Sequence, residues 1–349
     1  MRVVVVGATG NVGTSVVTAL EGDESVTSVI GVARRPPVRW EGATEWRAAD
    51  VTVDDLGEVF EGADAVVHLA WLFQPTRRPS VTWRTNVLGS ARVFRAVAEA
   101  GVSALVYASS VGAYSPGPKD RAVDEGWPTD GWPGAAYSRE KAYVERVLDV
   151  FERDHPGIRV VRMRPGFIFK REAATEQRRL FAGPLLPGRL VRPGMIPFVP
   201  DIPGLRIQAL HSLDAGEAYR LAVTRQVRGA FNLAAEPVLD TAALAGVLGA
   251  RPVPVPSSLA RAVTAAGWHL HLIPAAPGLL DMALRLPVMD ITRAHRELGW
   301  QPRHTALDAV RELLGGLREG AGADTAPLAP DTDAGGRLRE FLTGVGQRP

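Results

Sequence analysis

Four consecutive valines run straight into a glycine-rich turn, Val3-Val4-Val5-Val6-Gly7-Ala8-Thr9-Gly10-Asn11-Val12-Gly13, and no other feature of the chain narrows its possible folds as far. A β-branched run without polar alternation reads as a strand buried on both faces, which requires a parallel sheet covered by helices on each side. Gly7, Gly10 and Gly13 stand three apart. In a strand-turn-helix unit a side chain at the first would block the tight turn. One at the second would keep the backbone off a pyrophosphate, and one at the third would separate helix from strand. The spacing predicts a dinucleotide site in which Gly7, Thr9, Gly10, Asn11, Val12 and Gly13 meet the cofactor.

The first half of the chain repeats this alternation. Apolar runs at 3–6, 29–32, 65–69, 105–107 and 159–163 are spaced by amphipathic stretches at 12–20, 54–60, 81–100 and 135–153. That order predicts an α/β fold, a Rossmann-type doubly wound parallel sheet. Beyond residue 166 prolines crowd in, among them Pro184, Pro187, Pro197, Pro200 and Pro203, and a smaller C-terminal substrate-binding lobe is expected. The stretch 170–203 is expected to close the pocket as a lid or binding loop. Residues 229–233 read as a strand returning to the sheet, and 290–300 as a helix ending at Gly299. The expected division is a Rossmann domain over 1–165, mainly a substrate lobe over 166–314, and a mobile tail over 315–349 with a short helix at 337–342.

About twenty residues past the glycines, such a fold places the side chain that meets the adenosine ribose, an acid for a free 2′-hydroxyl or a base for a 2′-phosphate. Here the strand ends Ala33-Arg34-Arg35. Two guanidinium groups in place of an acid make NADP the preferred cofactor, with NAD possible. Overall charge points elsewhere than nucleic acid: 40 basic against 38 acidic residues leave a net +2. The absence of cysteine excludes disulfides, thiolate nucleophiles and cysteine-based zinc sites, so no metal is expected. The N-terminal apolar run is far too short for a signal core or a membrane span, and a cytoplasmic location without membrane association is the expectation.

A second motif is Tyr137-Ser138-Arg139-Glu140-Lys141 on an expected helix, where a spacing of four sets phenol and ammonium on one face. A nearby cation favours the phenolate and suits Tyr137 to proton transfer with a carbonyl or alcohol. The strand LVYASS delivers Ser109 and Ser110 at its carboxyl end, where open α/β sheets present ligands. Either hydroxyl there suits holding a substrate oxygen beside the phenol.

Together these residues resemble the extended short-chain dehydrogenase/reductase family, often called NAD-dependent epimerase/dehydratases, from Met1 to about Arg303. Within the resemblance Asp50-Val51 is similar to the adenine-contacting acidic turn, and His68-Leu69-Ala70 to the strand end beside the cofactor. Asn86 matches the asparagine of the long helix, and Arg164-Pro165-Gly166 the segment by the nicotinamide. His211 with Asp214 resembles the substrate-lobe histidine-acid segment, and Glu297-Leu298-Gly299-Trp300 the C-terminal signature. The resemblance implies Tyr137 as general acid or base, Lys141 on the cofactor ribose, and Ser110 rather than Ser109 on the substrate oxygen. It implies contacts to the cofactor from Asp50, Val51, Leu69, Ala70, Asn86 and Pro165, and a homodimer. His68, His211 and Asp214 are expected to be structural.

Two departures sharpen the functional expectation. Dehydratases that this family includes resemble one another in an Asp-Glu pair just after the active-site hydroxyl, and Val111-Gly112 stands there instead. Arg206 lies near the place of the family's nucleotide-sugar arginine, offset by one residue. Trp71, Phe73, Trp127, Trp132, Phe167 and Phe181 are candidates to line an apolar or aromatic pocket. The sequence therefore predicts an NAD(P)-dependent oxidoreductase moving hydride between NADP(H) and a carbonyl or secondary alcohol of a small molecule. The alternatives are a nucleotide-sugar epimerase with bound NAD and, in another class, a non-catalytic dinucleotide-binding redox sensor.

Overall fold

The structure, a computed structural model, describes residues 1–330 apart from 185, 187, 189, 190 and 193. The helix expected at 337–342 lies outside the described residues. Fourteen strands are described: β1 (Arg2–Val6), β2 (Ser28–Ala33), β3 (Glu45–Ala48), β4 (Ala65–His68), β5 (Ala104–Ala108), β6 (Ala122–Val123), β7 (Arg159–Pro165), β8 (Phe167–Phe169), β9 (Phe198–Asp201), β10 (Arg206–His211), β11 (Gly229–Leu233), β12 (Ala235–Asp240), β13 (Arg251–Pro254) and β14 (Val288–Met289). The helices are α1 (Asn11–Glu21), α2 (Gly57–Phe60), α3 (Pro79–Trp83), α4 (Gly89–Glu99), α5 (Ala136–Asp154), α6 (Ala174–Gln177), α7 (Ser212–Thr224), α8 (Thr241–Leu248), α9 (Ser257–His269), α10 (Pro277–Ala283) and α11 (Ala306–Glu319).

Seven parallel strands make the central sheet in the order β3-β2-β1-β4-β5-β7-β11. The valine run explains the layering, because successive strand residues point to opposite faces. Val3 and Val5 pack with Val16, Val17, Ala218 and Ala222 of α1 and α7, while Val4 and Val6 pack with Phe94, Val97, Val144 and Leu148 of α4 and α5. Helix α7 comes so close to α1 that a Cβ at Gly216 would stand 2.5 Å from the Ser15 carbonyl oxygen. The strand order reverses at β1, flanked by β2 and β4, and loops at the carboxyl ends of such a pair diverge to leave a crevice. Gly7 closes the turn after β1 at φ +89°, and a Cβ there would lie 2.6 Å from the Ala70 backbone nitrogen after β4.

The second lobe holds the three-stranded sheet β12-β10-β8, the pair β9-β13, and helices α8 to α10. Strand β11 returns to the central sheet as expected, pairing with β7 from Gly229↔Val161 to Leu233↔Pro165. Three readings change. Strand β3 is an addition to the expected elements; three of its four residues are exposed, so it carries no apolar run. The helix expected over 290–300 is shorter, helical over 292–298 with its π-helical part at Ala294–Leu298, and stops at Gly299 at φ +58°. The tail expected from 315 does not start there: α11 runs to Glu319, and Leu328 beyond it is fully buried. No helix among the described residues is long and apolar enough to cross a membrane.

Trp300 ties the lobes' ends together. It is fully buried, its Nε1 donates to the Asp214 carbonyl at 2.8 Å, and the Asp214 carboxylate accepts from the backbone nitrogens of Arg303 and His304 at 3.0 and 2.9 Å. Replacing Trp300 by Ala removes both the packing and the donor and is expected to cost about 3–5 kcal/mol of stability. Urea unfolding measures it, and a loss below about 1 kcal/mol would contradict this role.

Candidate active site

One cavity of about 1270 Å³ runs along the carboxyl edge of the central sheet. It exceeds the roughly 300–1,000 Å³ of a single small-molecule pocket. Gly7, Thr9, Gly10, Asn11, Val12, Gly13, Arg34, Arg35, Asp50, Val51, Leu69, Ala70, Ser110, Tyr137, Lys141 and Pro165 all line it, so sixteen of the seventeen residues expected to be catalytic or to meet the cofactor lie on one cavity. The exception is Asn86.

The residues at the glycine end fit a dinucleotide. Helix α1 opens at Gly10 without a side-chain cap, which leaves its first-turn N–H groups for an anion. A Cβ at Gly13 would be 2.3 Å from the Gly7 carbonyl, whereas one at Gly10 would meet nothing closer than 3.7 Å. Gly13 thus serves helix packing, and Gly10 keeps the wall open. At the far end Arg34 and Arg35 are exposed on the cavity lip. Burial pushes the Asp50 carboxyl up, but hydrogen bonds from Thr52 and the charge of Arg34 leave its pKa lowered.

Midway along the cavity stand Ser110, Tyr137 and Lys141. The Ser110 hydroxyl accepts from Gly112 N at 2.9 Å, and Ser110 and Tyr137 line the same cavity. Ser109, which also lines the cavity, donates to Glu145 Oε1 at 2.6 Å. Lys141 is buried, donates to the Ala108 carbonyl at 2.6 Å, and has its Nζ 3.4 Å from the centre of the Trp71 ring. Burial pushes Tyr137 up to about 12 against the opposing influence of the Ser110 hydroxyl, and burial lowers Lys141 well below its ordinary value against Glu145 and Glu140. Nζ is 6.0 Å from the Tyr137 ring centre, so desolvation outweighs charge and the phenol keeps its proton.

Asn86 requires a correction. It is fully buried behind the wall, with Oδ1 accepting from Leu72 N at 2.7 Å and Nδ2 donating to the Leu72 carbonyl at 2.8 Å and to Glu140 Oε2 at 2.6 Å. Its amide is used up in pinning the loop that carries Trp71 and Phe73. His68 bonds Ser90 at 2.9 Å and is depressed to about 3 by burial and Lys141, so it stays neutral. His211 caps α7 and pairs with Glu312 at 2.9 Å, and neither it nor Asp214 is among the residues lining the cavity. Arg206 is exposed and likewise absent from that lining. Of the six aromatics, Trp71, Phe73, Phe167 and Phe181 line the cavity, while Trp127 and Trp132 pack with Tyr114 and Ala135 outside it.

Two parts of the site went unread in the sequence. Glu145, four residues after Lys141 on the same helix face, anchors α5 through Arg164 Nε at 2.9 Å and Nη2 at 3.0 Å; the repeated spacing of four was the available signal. The segment after α11 is the other. Thr325 Oγ1 donates to the Thr9 carbonyl at 2.8 Å, Arg179 Nη2 to the Pro327 carbonyl at 2.7 Å, and Ala326 and Pro327 line the cavity. Residues 321–328 therefore form a strap across the glycine turn, and the stretch 170–203 supplies wall residues Gln177, Leu180 and Phe181 beside it. Leu328→Asp should loosen the strap and speed dinucleotide release several-fold in stopped-flow displacement; an unchanged release rate would contradict a strap that covers the cofactor.

Residues 3–182 match the NAD dependent epimerase/dehydratase family. An uncharacterised protein of Mycobacterium tuberculosis (strain ATCC 25618 / H37Rv) is 28% identical over 323 residues, 91% of this chain and 30% of that protein, so this chain spans under a third of that relative's length. L-arabinose 1-dehydrogenase (NAD(P)(+)) of Haloferax volcanii is 29% identical over 187 residues, 50% of this chain and 70% of that enzyme. UDP-glucose 4-epimerase of Thermus thermophilus, solved in complex with NAD, shares the fold with a TM-score of 0.64 at 20% identity over 91% of this chain and 99% of that one. With the match covering more than half of its residues, the chain belongs to the NAD dependent epimerase/dehydratase family.

Proposed function

We propose that the protein is an oxidoreductase that moves hydride between NADP(H) and a carbonyl or secondary alcohol of a small molecule, with Tyr137 as general acid or base. The observation that carries this reading is the placement of Ser110, Tyr137 and Lys141 on the same cavity as the glycine turn. Bound nicotinamide supplies the hydride donor or acceptor. Ser110 holds the substrate oxygen, and Tyr137 gives that oxygen its proton as negative charge develops, a contribution of about 10²–10⁴ in rate. With burial pushing its pKa up to about 12, the phenol carries its proton throughout the neutral range, the form that carbonyl reduction uses. The reverse reaction needs the phenolate, so alcohol oxidation should accelerate with rising pH while carbonyl reduction stays flat.

Dehydration is disfavoured at residue 112, because a Cβ on Gly112 would stand 2.6 Å from Tyr137 Cε1 and leaves no room for an added carboxylate. The preference for NADP rests on Arg34 and Arg35 at the lip. A second reading, an epimerase that retains NAD, draws support from the strap over the glycine turn. The retained Tyr137-Lys141 pair weighs against a sensor. A homodimer through α4 and α5 belongs to this proposal, supported by Leu88, Tyr143 and Val150 exposed on and beside those helices.

Tyr137→Phe should abolish turnover and leave dinucleotide affinity almost unchanged, since it removes one hydroxyl and keeps the ring. Lys141→Ala should weaken cofactor binding and slow turnover together. Steady-state kinetics with calorimetry separates the two, and full activity in Tyr137→Phe would overturn the role given to the phenol. Calorimetric titration should also find NADPH bound more tightly than NADH, with Arg34→Ala narrowing the gap; a preference for NADH that survives Arg34→Ala would sink the NADP assignment.

A further inference from the structure

The cavity does not end at Tyr137. Past the phenol its walls are made by the loop after β4, by residues 177–182 and by α10 with its flanks, and what those walls offer a substrate is unlike what a charged or sugar-rich molecule needs. Phe73 lies flat on Tyr137 with ring centres 4.7 Å apart and planes within 13°. Phe181 meets Phe73 edge-on at 5.4 Å and 72°. Leu279, Leu280, Met282 and Leu286 line the same cavity, and Leu279, Met282 and Leu286 share one apolar cluster with Tyr137. Aromatic rings thus continue from Tyr137 through Phe73 to Phe181, and aliphatic side chains of α10 and its flanks line the same cavity.

A nucleoside diphosphate sugar would bring two negative charges and a row of hydroxyls into this space. Buried charge is tolerated only where cations or N–H donors meet it. Among the described residues, the charged side chains lining this side, Arg78, Glu176 and Arg178, already have protein partners. Arg206, the sequence's candidate for holding a diphosphate, is exposed and absent from the described lining. Lys119 is also committed, donating to the carbonyls of Arg206 at 2.7 Å and Ala283 at 3.0 Å. Gln74, Gln177 and Thr264 also line the cavity, but they donate to the carbonyls of Leu180 at 2.7 Å, Ile168 at 2.8 Å and Ala260 at 2.9 Å, while Ser110 and Tyr137 together can orient one oxygen.

We infer that the substrate is a ketone or aldehyde carried on an apolar, ring-containing body, held between the Phe73-Phe181 wall and the α10 wall with its carbonyl oxygen at Ser110 and Tyr137. This rests on the hydride-transfer reading above and names the substrate class for the same site. In the reaction, hydride from the reduced dinucleotide forms a C–H bond at the carbonyl carbon, the C=O π pair moves to oxygen, and the Tyr137 proton completes the alcohol. The oxidised dinucleotide is the second product. Phe181 is then a specificity residue: its ring sits one aromatic contact away from the phenol, so it touches the body of the substrate and leaves the proton donor alone.

The test uses the full chain saturated with NADPH. Calorimetric titration with 1-tetralone, a bicyclic aromatic ketone, should give binding with a negative heat-capacity change, the mark of apolar burial. UDP and UDP-glucose should bind at least about tenfold more weakly, and Phe181→Ala should raise the KM for 1-tetralone by about tenfold or more while leaving NADPH affinity unchanged. Tighter binding of UDP or UDP-glucose than of the ketone overturns the apolar class, and so does a ketone that fails to bind. Ketone binding with the expected heat-capacity change but without NADPH oxidation leaves the class standing and removes the hydride-transfer reading, so the two claims fail separately.

Discussion

A buried carboxylate holds this site in register. Glu145 is completely enclosed and takes Arg164 in a two-pronged grip, Arg162 Nη1 at 2.9 Å, and the Ser109 hydroxyl at 2.6 Å. Those partners come from β7 and the end of β5, while Glu145 itself is on α5, so one side chain fixes the helix that carries Tyr137 and Lys141 against the strands that carry Ser110 and Pro165. Burial alone would push this carboxyl up, yet Arg164 and Arg162 hold it down at about 2. A folded-state pKa below that of the unfolded chain contributes stability above the unfolded value of roughly 4.5, and that contribution disappears as pH falls toward 2. Removing one partner of such a pair strands a buried charge, which is why costs of about 3–5 kcal/mol are usual.

A second clamp sets the other wall. Thr82 and Asn86 donate to Glu140, and Asn86 also grips Leu72 through both its amide groups, so the loop bearing Trp71 and Phe73 cannot drift from the phenol. Gly112 completes the arrangement by leaving the Tyr137 ring its space. The electrostatic result follows from dryness more than from charge. Tyr137 rises, Lys141 falls, and His68 falls to about 3, all with desolvation as the largest cause. A site tuned this way starts with a proton to give.

Much of this was legible in residues whose local pattern is dictated by burial or backbone geometry. Val3 to Val6 had to be a two-faced strand, Gly7 a position of positive φ, and Tyr137 with Lys141 one helix face, and each sits as the pattern requires. What stayed hidden depends on contacts far apart in the chain. Strand β3 is half outside the core, so its sequence carries no strand signal. Residues 320–328 have no periodicity and are held instead by Thr9, Arg179 and the buried Leu328, which no local reading finds. Asn86 fell in the expected helix but its amide turns to Leu72 rather than into the cavity, and only the fold decides that. The serine pair was ambiguous because Glu145, which captures Ser109, lies thirty-six residues away.

The central claim is that a dinucleotide and a carbonyl meet in this one cavity and exchange hydride directly beside Tyr137. Supplying NADPH deuterated at nicotinamide C4 with a ketone substrate and weighing the alcohol formed tests it without intermediaries. The account predicts deuterium at the carbinol carbon with one of the two C4 epimers and none with the other. An alcohol that carries deuterium from neither epimer, or from both alike, would contradict it.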